Sequence, residues 1–207
     1  MMILKVIICL IIGYFFGNIS FSYIVGKTHN LDIRKYGSGN AGTTNVMRVL
    51  GVRDGIITFF GDALKAVFAM WIVRFLLYPG DDMYMLLSLI TGIGVVLGHN
   101  YPFWLEGKGG KGIAATGGVM LALDWRVALV AILIFALIVL ITKYVSVASL
   151  TIVFLLPIWL IRNFPGEGYL HLIGWLFVIF AFYRHKDNIK RLISGTENKV
   201  GKKEKKA

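Results

Sequence analysis

The chain has 207 residues, of which 57% are apolar, and its 22 Lys and Arg against 11 Asp and Glu give a formal net charge of +11. This apolar fraction exceeds that of typical soluble domains and excludes an ordinary water-soluble protein. The single cysteine, Cys9, excludes an intramolecular disulfide. A chain both apolar and basic is expected to keep its charges outside a bilayer, mostly on one side.

Four apolar segments approach the ~20 residues that a membrane-spanning helix needs. They are Ile3–Val25, Ile56–Leu77, Met83–Leu97 and Tyr169–Tyr183. The first lacks a small-residue cleavage site and is interpreted as a retained span, not a signal peptide. A further apolar stretch between Ile113 and Ile161 is interrupted at residues 124–126 and 142–143, so it can hold one span with embedded pieces or three spans.

The distribution of Lys and Arg favours one layout. Segments 27–54, 100–112, 142–146 and 184–207 hold 17 of the 22 basic residues, and the positive-inside rule assigns these segments to the cytoplasm. The prediction is an all-α polytopic membrane protein with seven transmembrane helices, its N-terminus outside and its C-terminus cytoplasmic. Because the fourth helix, Ile113–Leu123, is short, a five-span layout stays open.

Within the spans, glycine pairs and one charge pair predict tight packing. Gly13 with Gly17 and Gly94 with Gly98 each place two glycines on one helical face, where neighbouring backbones can approach closely. Asp62 and Lys65, at i,i+3, are predicted to form an intramembrane ion pair that supports the functional loops, although a catalytic role is the alternative.

The loop Gly37–Arg48 combines glycines, hydroxyls, amides and an arginine within twelve residues. Its glycines allow several N–H groups to turn toward one anion, and Arg48 offers a forked cation for phosphate. The alternative is a flexible polar turn. We predict anion binding here.

Three further polar segments lie on the predicted cytoplasmic side. Gly107–Gly112 places Lys111 among glycines before an apolar helix, a suitable place for phosphate, but Ile113 follows Gly112, so this is not a Walker A loop. Lys143–Ser149 opens another apolar helix. In Tyr183–Arg191, His185 and Asn188 are spaced to share one helical face.

Together, GSGNAGTTNVMR (37–48), GHNYP (98–102) with GGKG (109–112), KYVSVAS (143–149) and RHKDNIKRLISGTENK (184–199) resemble the acyl-phosphate-dependent glycerol-3-phosphate acyltransferases, the PlsY family. The resemblance implies a seven-helix enzyme of the bacterial inner membrane. It would transfer a fatty acyl group from acyl phosphate to the 1-hydroxyl of sn-glycerol 3-phosphate, giving lysophosphatidic acid and phosphate. It implies that the enzyme needs no cofactor, metal, nucleic acid or obligate protein partner. Its surroundings are expected to be membrane lipid.

The resemblance also implies the site. Soluble-type acyltransferases use H-x4-D, and no histidine here has Asp five residues later, so that dyad is not encoded. The resemblance implies instead that a substrate phosphate takes the hydroxyl proton, which its second pKa near 6 allows at neutral pH. The residues expected at the catalytic centre are Lys111, Arg48, His185 and Asn188. Those expected to bind substrate phosphate are Gly37, Ser38, Gly39, Asn40, Gly42, Thr43, Thr44, Asn45, Gly109, Gly110, Ser146 and Ser149. Residues 1–198 are predicted to form one membrane domain, followed by a basic, disordered tail at 199–207.

Departures from the family pattern affect details of substrate orientation. Gly107 replaces an aromatic residue, Lys143 the commoner arginine, and Ala148 a frequent serine.

The main alternative function is a transporter of phosphate-bearing metabolites, although carriers usually place their sites near the midplane within repeats. A non-catalytic membrane assembly factor is a further alternative, but it would leave the four polar loops unexplained. A phosphatase is also possible, but the sequence shows no paired carboxylates that would bind its metal.

Overall fold

The computed structural model describes residues 2–201, and every regular element in that range is helical. The helices are α1 (Met2–Gly17), α2 (Phe21–Thr28), α3 (Thr43–Leu50), α4 (Val52–Trp71), α5 (Tyr84–Asn100), α6 (Ile113–Leu123), α7 (Trp125–Thr142), α8 (Val145–Ile152), α9 (Leu155–Asn163), α10 (Gly168–Arg184) and α11 (Lys186–Ile193). A π-helical stretch, Ile72–Leu77, continues α4. The predicted all-α class is confirmed.

Five helical segments are long and apolar enough to cross a membrane, namely Met2–Thr28, Val52–Leu77, Tyr84–Leu105, Trp125–Thr142 and Val145–Asn163. Two apolar helices, α6 and α10, are shorter. With 11 residues, α6 is only about 16 Å long, roughly half the hydrocarbon thickness. The breaks on either side of α7 coincide with the predicted interruptions, because Asp124 accepts a hydrogen bond from the backbone of Arg126 and Lys143 adopts a positive φ.

The first predicted span is two helices, not one. The chain leaves helical geometry at Asn18–Ser20, between α1 and α2. Asn18 stabilises this break: its amide donates to the Tyr14 carbonyl at 2.7 Å, and its Oδ1 accepts from the backbone N–H of Phe103 at 2.9 Å. Its carbonyl accepts from the indole of Trp104 at 2.8 Å. The break is therefore attached to the loop that follows α5.

The predicted glycine packing is confirmed where α1 crosses α5, the most extensive helix contact in the described chain. A Cβ added to Gly13 would lie 3.0 Å from the Cα of Gly94, and one added to Gly98 would lie 2.9 Å from the backbone N of Asn18. Larger side chains would separate the two backbones. This contact brings the break after α1 against the C-terminal end of α5.

The main apolar core lies among α4, α5, α6, α9 and α10, with Leu89, Val119, Leu156 and Phe177 fully buried. By contrast, α7 buries only Ala128 and Ala131 and exposes residues such as Leu133, Leu140 and Ile141. An apolar outer surface of this kind suits lipid, not water.

Candidate active site

Direct contacts gather all four polar segments at one end of the bundle. The Arg34 Nη1 group, in the segment before Gly37, donates to the Leu105 carbonyl at 3.1 Å. The guanidinium of Arg184, at the end of α10, donates to the carbonyl of Gly110 at 2.7 and 3.0 Å. The backbone N–H of Val200 donates to the Lys143 carbonyl at 2.9 Å. Segments far apart in sequence therefore meet in one place.

The loop Gly37–Arg48 is held by Asn45 from within. Its Oδ1 accepts from the backbone N–H of Ser38 at 2.8 Å, and its amide donates to the carbonyls of Ile33 and Tyr36 at 3.1 and 3.0 Å. Both amide hydrogens of Asn45 are therefore used within the loop, where they fix the turn in which Gly37 takes a φ of +57°. A direct contact between Asn45 and phosphate stays a prediction.

The remaining polar groups of this loop stay available. Thr43 Oγ1, at the start of α3, is buried and has no hydrogen-bond partner among the described residues. Ser38, Thr44 and Arg48 are exposed, and Arg48 makes no hydrogen bond or ion pair within residues 2–201. The loop thus presents hydroxyls and one unpaired guanidinium on a frame built by Asn45.

The two glycines before Lys111 are hydrogen-bonded within the protein through both their N–H groups and their carbonyls. The N–H of Gly109 donates to the Asn100 carbonyl at 3.2 Å and that of Gly110 to the His99 carbonyl at 3.0 Å, while both glycine carbonyls accept from Arg184. The N–H groups of both glycines are therefore used within the protein, and phosphate binding at Gly109 and Gly110 stays a prediction. A Cβ on Gly110 would lie 2.7 Å from the Ala41 carbonyl, so only glycine lets this loop approach Gly37–Arg48 so closely.

Lys111 lies in a hydrogen-bonded cluster with three residues of the C-terminal segment. Its ammonium donates to the side-chain oxygen of Asn188, whose amide donates to Glu197 at 2.6 Å. Arg191 Nε donates to the other Glu197 oxygen at 2.7 Å. Burial lowers the pKa of Lys111 to about 8, although the charge of Glu197 opposes that shift. Lys111 is therefore protonated at neutral pH, but its charged form is less favoured than that of an exposed lysine.

His185 is neutral, and its second ring nitrogen has no hydrogen-bond partner within residues 2–201. Its Nδ1 lies 2.8 Å from the Ala181 carbonyl, which can only accept, so Nδ1 carries the hydrogen and Nε2 is an acceptor. Burial first, and the positive charge of Lys111 second, lower the His185 pKa to about 4. At neutral pH this imidazole can accept a hydrogen bond from a substrate hydroxyl.

Ser146 completes the cluster from the first turn of α8. Its Oγ is buried and has no hydrogen-bond partner of good geometry in the described chain. It nevertheless lies close to the Glu197 carboxylate and contributes to the lowered pKa of Glu197, although less than Asn188 and Arg191 do. Ser149, one turn later, is buried on the same helix. Buried polar atoms without partners are uncommon and suit a ligand contact.

Beneath these loops, Lys65 is fully enclosed. It donates to Asp62 at 2.8 Å and to the carbonyls of Gly17 and Ile19 at 3.0 and 2.7 Å, and its Nζ lies 3.0 Å from His99 Nδ1. The predicted Asp62–Lys65 ion pair is confirmed. It joins the break after α1 to α4 and to His99, whose carbonyl holds Gly110.

Sequence reasoning missed three residues that the structure brings to this end. Arg184 clamps the glycines before Lys111, and Glu197 fixes Asn188. Both side-chain polar atoms of Asn100 are buried without partners in the described residues, and a Cβ on Gly112 would lie 3.1 Å from its Oδ1. All three lie inside segments singled out above, but only the fold reveals their contacts. No three His, Cys, Asp or Glu residues in the described chain converge as metal ligands.

A family model described as glycerol-3-phosphate acyltransferase matches residues 7–195. The chain belongs to the glycerol-3-phosphate acyltransferase family. It is 44% identical over 198 residues to the glycerol-3-phosphate acyltransferase of Alkaliphilus metalliredigens, covering 95% of this chain and 97% of the relative. The enzyme of the same name from Clostridioides difficile is 44% identical over 205 residues, covering 98% and 99%.

Solved structures agree with this family assignment. A crystal structure of PlsY (YgiH), an integral membrane glycerol 3-phosphate acyltransferase in its glycerol 3-phosphate form, matches with a TM-score of 0.84 and 35% identity, covering 95% of this chain and 96% of that one. Its lysophosphatidic acid form matches with a TM-score of 0.82 and 34% identity, covering 95% of each chain. The predicted resemblance is confirmed, and the alternative of a transporter finds no support among these relatives. This family member is an integral membrane acyltransferase.

Proposed function

We propose that this acyltransferase moves a fatty acyl group from acyl phosphate to the 1-hydroxyl of sn-glycerol 3-phosphate, releasing lysophosphatidic acid and phosphate. The observation that carries the proposal is the cluster of Lys111, Asn188 and Glu197, with the neutral imidazole of His185 beside it. It offers positive charge and hydrogen bonds for phosphate. Its one carboxylate is already bonded to Asn188 and Arg191.

A substrate phosphate acts as the base in this proposal. Glu197 has a lowered pKa and two hydrogen-bond donors, which makes it a poor proton acceptor. His185, with a pKa of about 4, is a weak base and serves to orient the hydroxyl. The second pKa of a phosphate monoester, about 6, makes the dianion a usable base at neutral pH when it touches the hydroxyl.

The reaction then balances without any cofactor. The hydroxyl oxygen of glycerol 3-phosphate attacks the acyl carbon, the bond from that carbon to the phosphate oxygen breaks, and the hydroxyl proton passes to a phosphate oxygen. Lys111 stabilises the negative charge on the departing phosphate. Positioning and charge neutralisation supply most of the rate.

The residues divide into two groups of contacts. Ser38, Asn40, Thr43 and Thr44 bind the acyl phosphate together with Lys111, while the backbone glycines at 37, 39 and 42 shape their loop. Arg48, Ser146, His185 and Asn188 bind glycerol 3-phosphate, with Ser149 behind Ser146. Asn45, Gly109 and Gly110 act indirectly, since their donors are used within the protein.

We also propose the arrangement of the chain in a bacterial inner membrane. Seven crossings, with α6 and α10 counted as spans, put the N-terminus outside and the loops of the site in the cytoplasm, in agreement with the charge asymmetry. Residues 1–198 form one domain. At the boundary, Lys199 lies over the ring of Tyr144 and Val200 bonds to Lys143, and residues 202–207 of the predicted tail lie outside the described residues.

An assay of the purified protein with three donors in parallel tests the proposal. Labelled glycerol 3-phosphate is supplied with acyl phosphate, acyl-CoA or acylated carrier protein, and labelled lysophosphatidic acid is measured. Product is expected from acyl phosphate alone. Product from acyl-CoA or carrier protein at a similar rate would contradict the proposed donor, and no product from any donor, in folded monodisperse protein, would contradict acyl transfer to this acceptor.

A further inference from the structure

A second polar feature lies at the opposite end of the bundle. There a groove of about 760 Å³ is lined by residues that include Leu64, Trp71, Arg74, Trp125, Arg126 and Trp159. We refer to it as the arginine groove. Because α4 and α6 both begin at the loops of the candidate site, their C-terminal ends, which line the groove, lie away from it.

The charge in the arginine groove is incompletely balanced. Asp124 accepts from the backbone N–H and the Nε of Arg126 at 2.9 and 3.0 Å, and from the indole of Trp159 at 3.2 Å. Arg74 has no hydrogen bond or ion pair in the described chain. Two arginines against one carboxylate leave one positive charge, and that charge is on Arg74.

The guanidinium of Arg74 is held with its donors free. It lies 4.7 Å from the centre of the Tyr84 ring and 5.2 Å from that of Phe75. These cation–π contacts position the guanidinium but use none of its five N–H donors. A planar cation of this kind suits the paired oxygens of a phosphate.

The apolar wall of the groove has the length of one lipid leaflet. Leu64 and Arg74 are ten residues apart on one helical segment, which corresponds to about 15 Å. Half of a hydrocarbon core about 30 Å thick is the same distance. Trp71, Trp125 and Trp159 surround the charged end, as expected at the level of the headgroups.

We propose that the arginine groove binds an anionic phospholipid of the leaflet opposite the candidate active site. The phosphate lies on Arg74, and one acyl chain follows α4 toward Leu64. A soluble phosphate would leave the apolar wall uncovered, and a zwitterionic lipid would bring its own cation toward Arg74. This site is independent of the acyl-transfer proposal and is tested without substrate.

Tryptophan fluorescence provides the test. Trp104 and Trp175 lie elsewhere, so a Trp104→Phe, Trp175→Phe background leaves only the three tryptophans of the groove. Phosphatidylglycerol or phosphatidylcholine with brominated acyl chains is titrated into the detergent-solubilised protein, with inorganic phosphate as a competitor. We expect quenching at lower concentrations of phosphatidylglycerol and no displacement by inorganic phosphate.

Arg74→Gln is expected to weaken phosphatidylglycerol binding about tenfold, since a hydrogen bond to a charged group is worth at least that factor. Arg162→Gln, an exposed arginine at the same end but outside the groove, is the matched control and should bind as the wild type does. If Arg74→Gln fails to fold, Arg74→Lys replaces it in the test. Lysine keeps the charge but loses the paired N–H donors of the guanidinium, so this variant should lose part of the affinity for phosphatidylglycerol.

Several outcomes would overturn the proposal. These are equal quenching by the two lipids, unchanged selectivity in the Arg74 variants, and displacement of the lipid by inorganic phosphate. Loss of phosphatidylglycerol binding in Lys111→Ala would place the lipid at the other end of the bundle. A change in acyl-donor chain-length preference on Leu64→Phe, without a change in phosphatidylglycerol binding, would assign the groove to the donor chain instead.

Discussion

Lys65 and Lys111 lie in clusters built from similar groups, and the two clusters differ in how completely they are closed. Lys65 is 3% exposed and has a carboxylate, a histidine and two backbone carbonyls around its ammonium. Lys111 is half-buried and, within residues 2–201, is hydrogen-bonded to Asn188 alone. The closed cluster holds helices together, whereas the open one keeps donors for a substrate. The number of partners, not the residue type, separates a structural lysine from a functional one.

Lys65→Met should have the largest effect, because it leaves Asp62 as an unpaired charge between helices. Removal of one partner from a buried ion pair costs about 3–5 kcal/mol. We expect low recovery of monodisperse protein and a large fall in the unfolding temperature. Lys108→Met is the control and should behave as the wild type does, because this exposed lysine side chain has Glu106 as its one partner among the described residues. Normal thermal stability of Lys65→Met would show that the closed cluster is not structural.

Gly98→Ala tests the same closed region through packing. The added methyl group would meet the backbone near Asn18 and Gly17, and such overpacking costs about 1–3 kcal/mol. Gly117→Ala is the matched control, because a Cβ there has nothing within 4 Å. Thermal unfolding should separate the two variants. Equal stability would mean that α1 can move away from α5 without loss.

Part of the closed region around Lys65 could be predicted from the sequence. The spacing of Gly94 and Gly98 indicated close helix packing, and the spacing of Asp62 and Lys65 indicated an ion pair, because both patterns are local to one helix. The break at Asn18–Ser20 was not predicted. At this break the carbonyls of Gly17 and Ile19 accept hydrogen bonds from Lys65, which lies 48 and 46 residues further along the chain. Hydropathy does not report such a distant contact.

The candidate site shows the same limit. The charge pattern assigned the polar loops and Lys111 to one side of the membrane, but it could not tell which hydrogen-bond donors the protein uses for its own contacts. Asn45 and Gly110 look like phosphate ligands in sequence, yet their N–H groups bond to backbone carbonyls. Glu197 lies in the last of the four family segments, 184–199, but its contact with Asn188 depends on the path of residues 194–197 and could not be predicted.

Arg48→Ala sharpens the comparison in the open region. Arg48 is exposed and unpaired within residues 2–201, so its loss should leave stability unchanged while activity falls well over tenfold. Arg53→Ala, an exposed arginine five residues later, is the control. Kinetics at varied glycerol 3-phosphate measure the effect. Near-wild-type kcat/KM in Arg48→Ala would remove Arg48 from the site.

The pH dependence should report the weakly stabilised charge of Lys111. Because its pKa is lowered to about 8, the ammonium is lost as pH rises through that value, and kcat/KM should fall there. On the acid side, activity should rise through about pH 6 as glycerol 3-phosphate becomes a dianion. In Lys111→Arg the residual activity should lose the alkaline decline. A decline at the same pH in that variant would assign it to another group.

The most direct test of the central claim compares Lys111→Ala with Lys108→Ala, three residues apart in one loop. Both proteins are purified to the same monodispersity, and the rate of lysophosphatidic acid formation from acyl phosphate is measured at saturating and limiting substrate. If Lys111 stabilises the departing phosphate, kcat/KM falls by about 10²–10³ in Lys111→Ala and stays within about twofold of wild type in Lys108→Ala. Folded Lys111→Ala with activity close to that of Lys108→Ala would contradict the account.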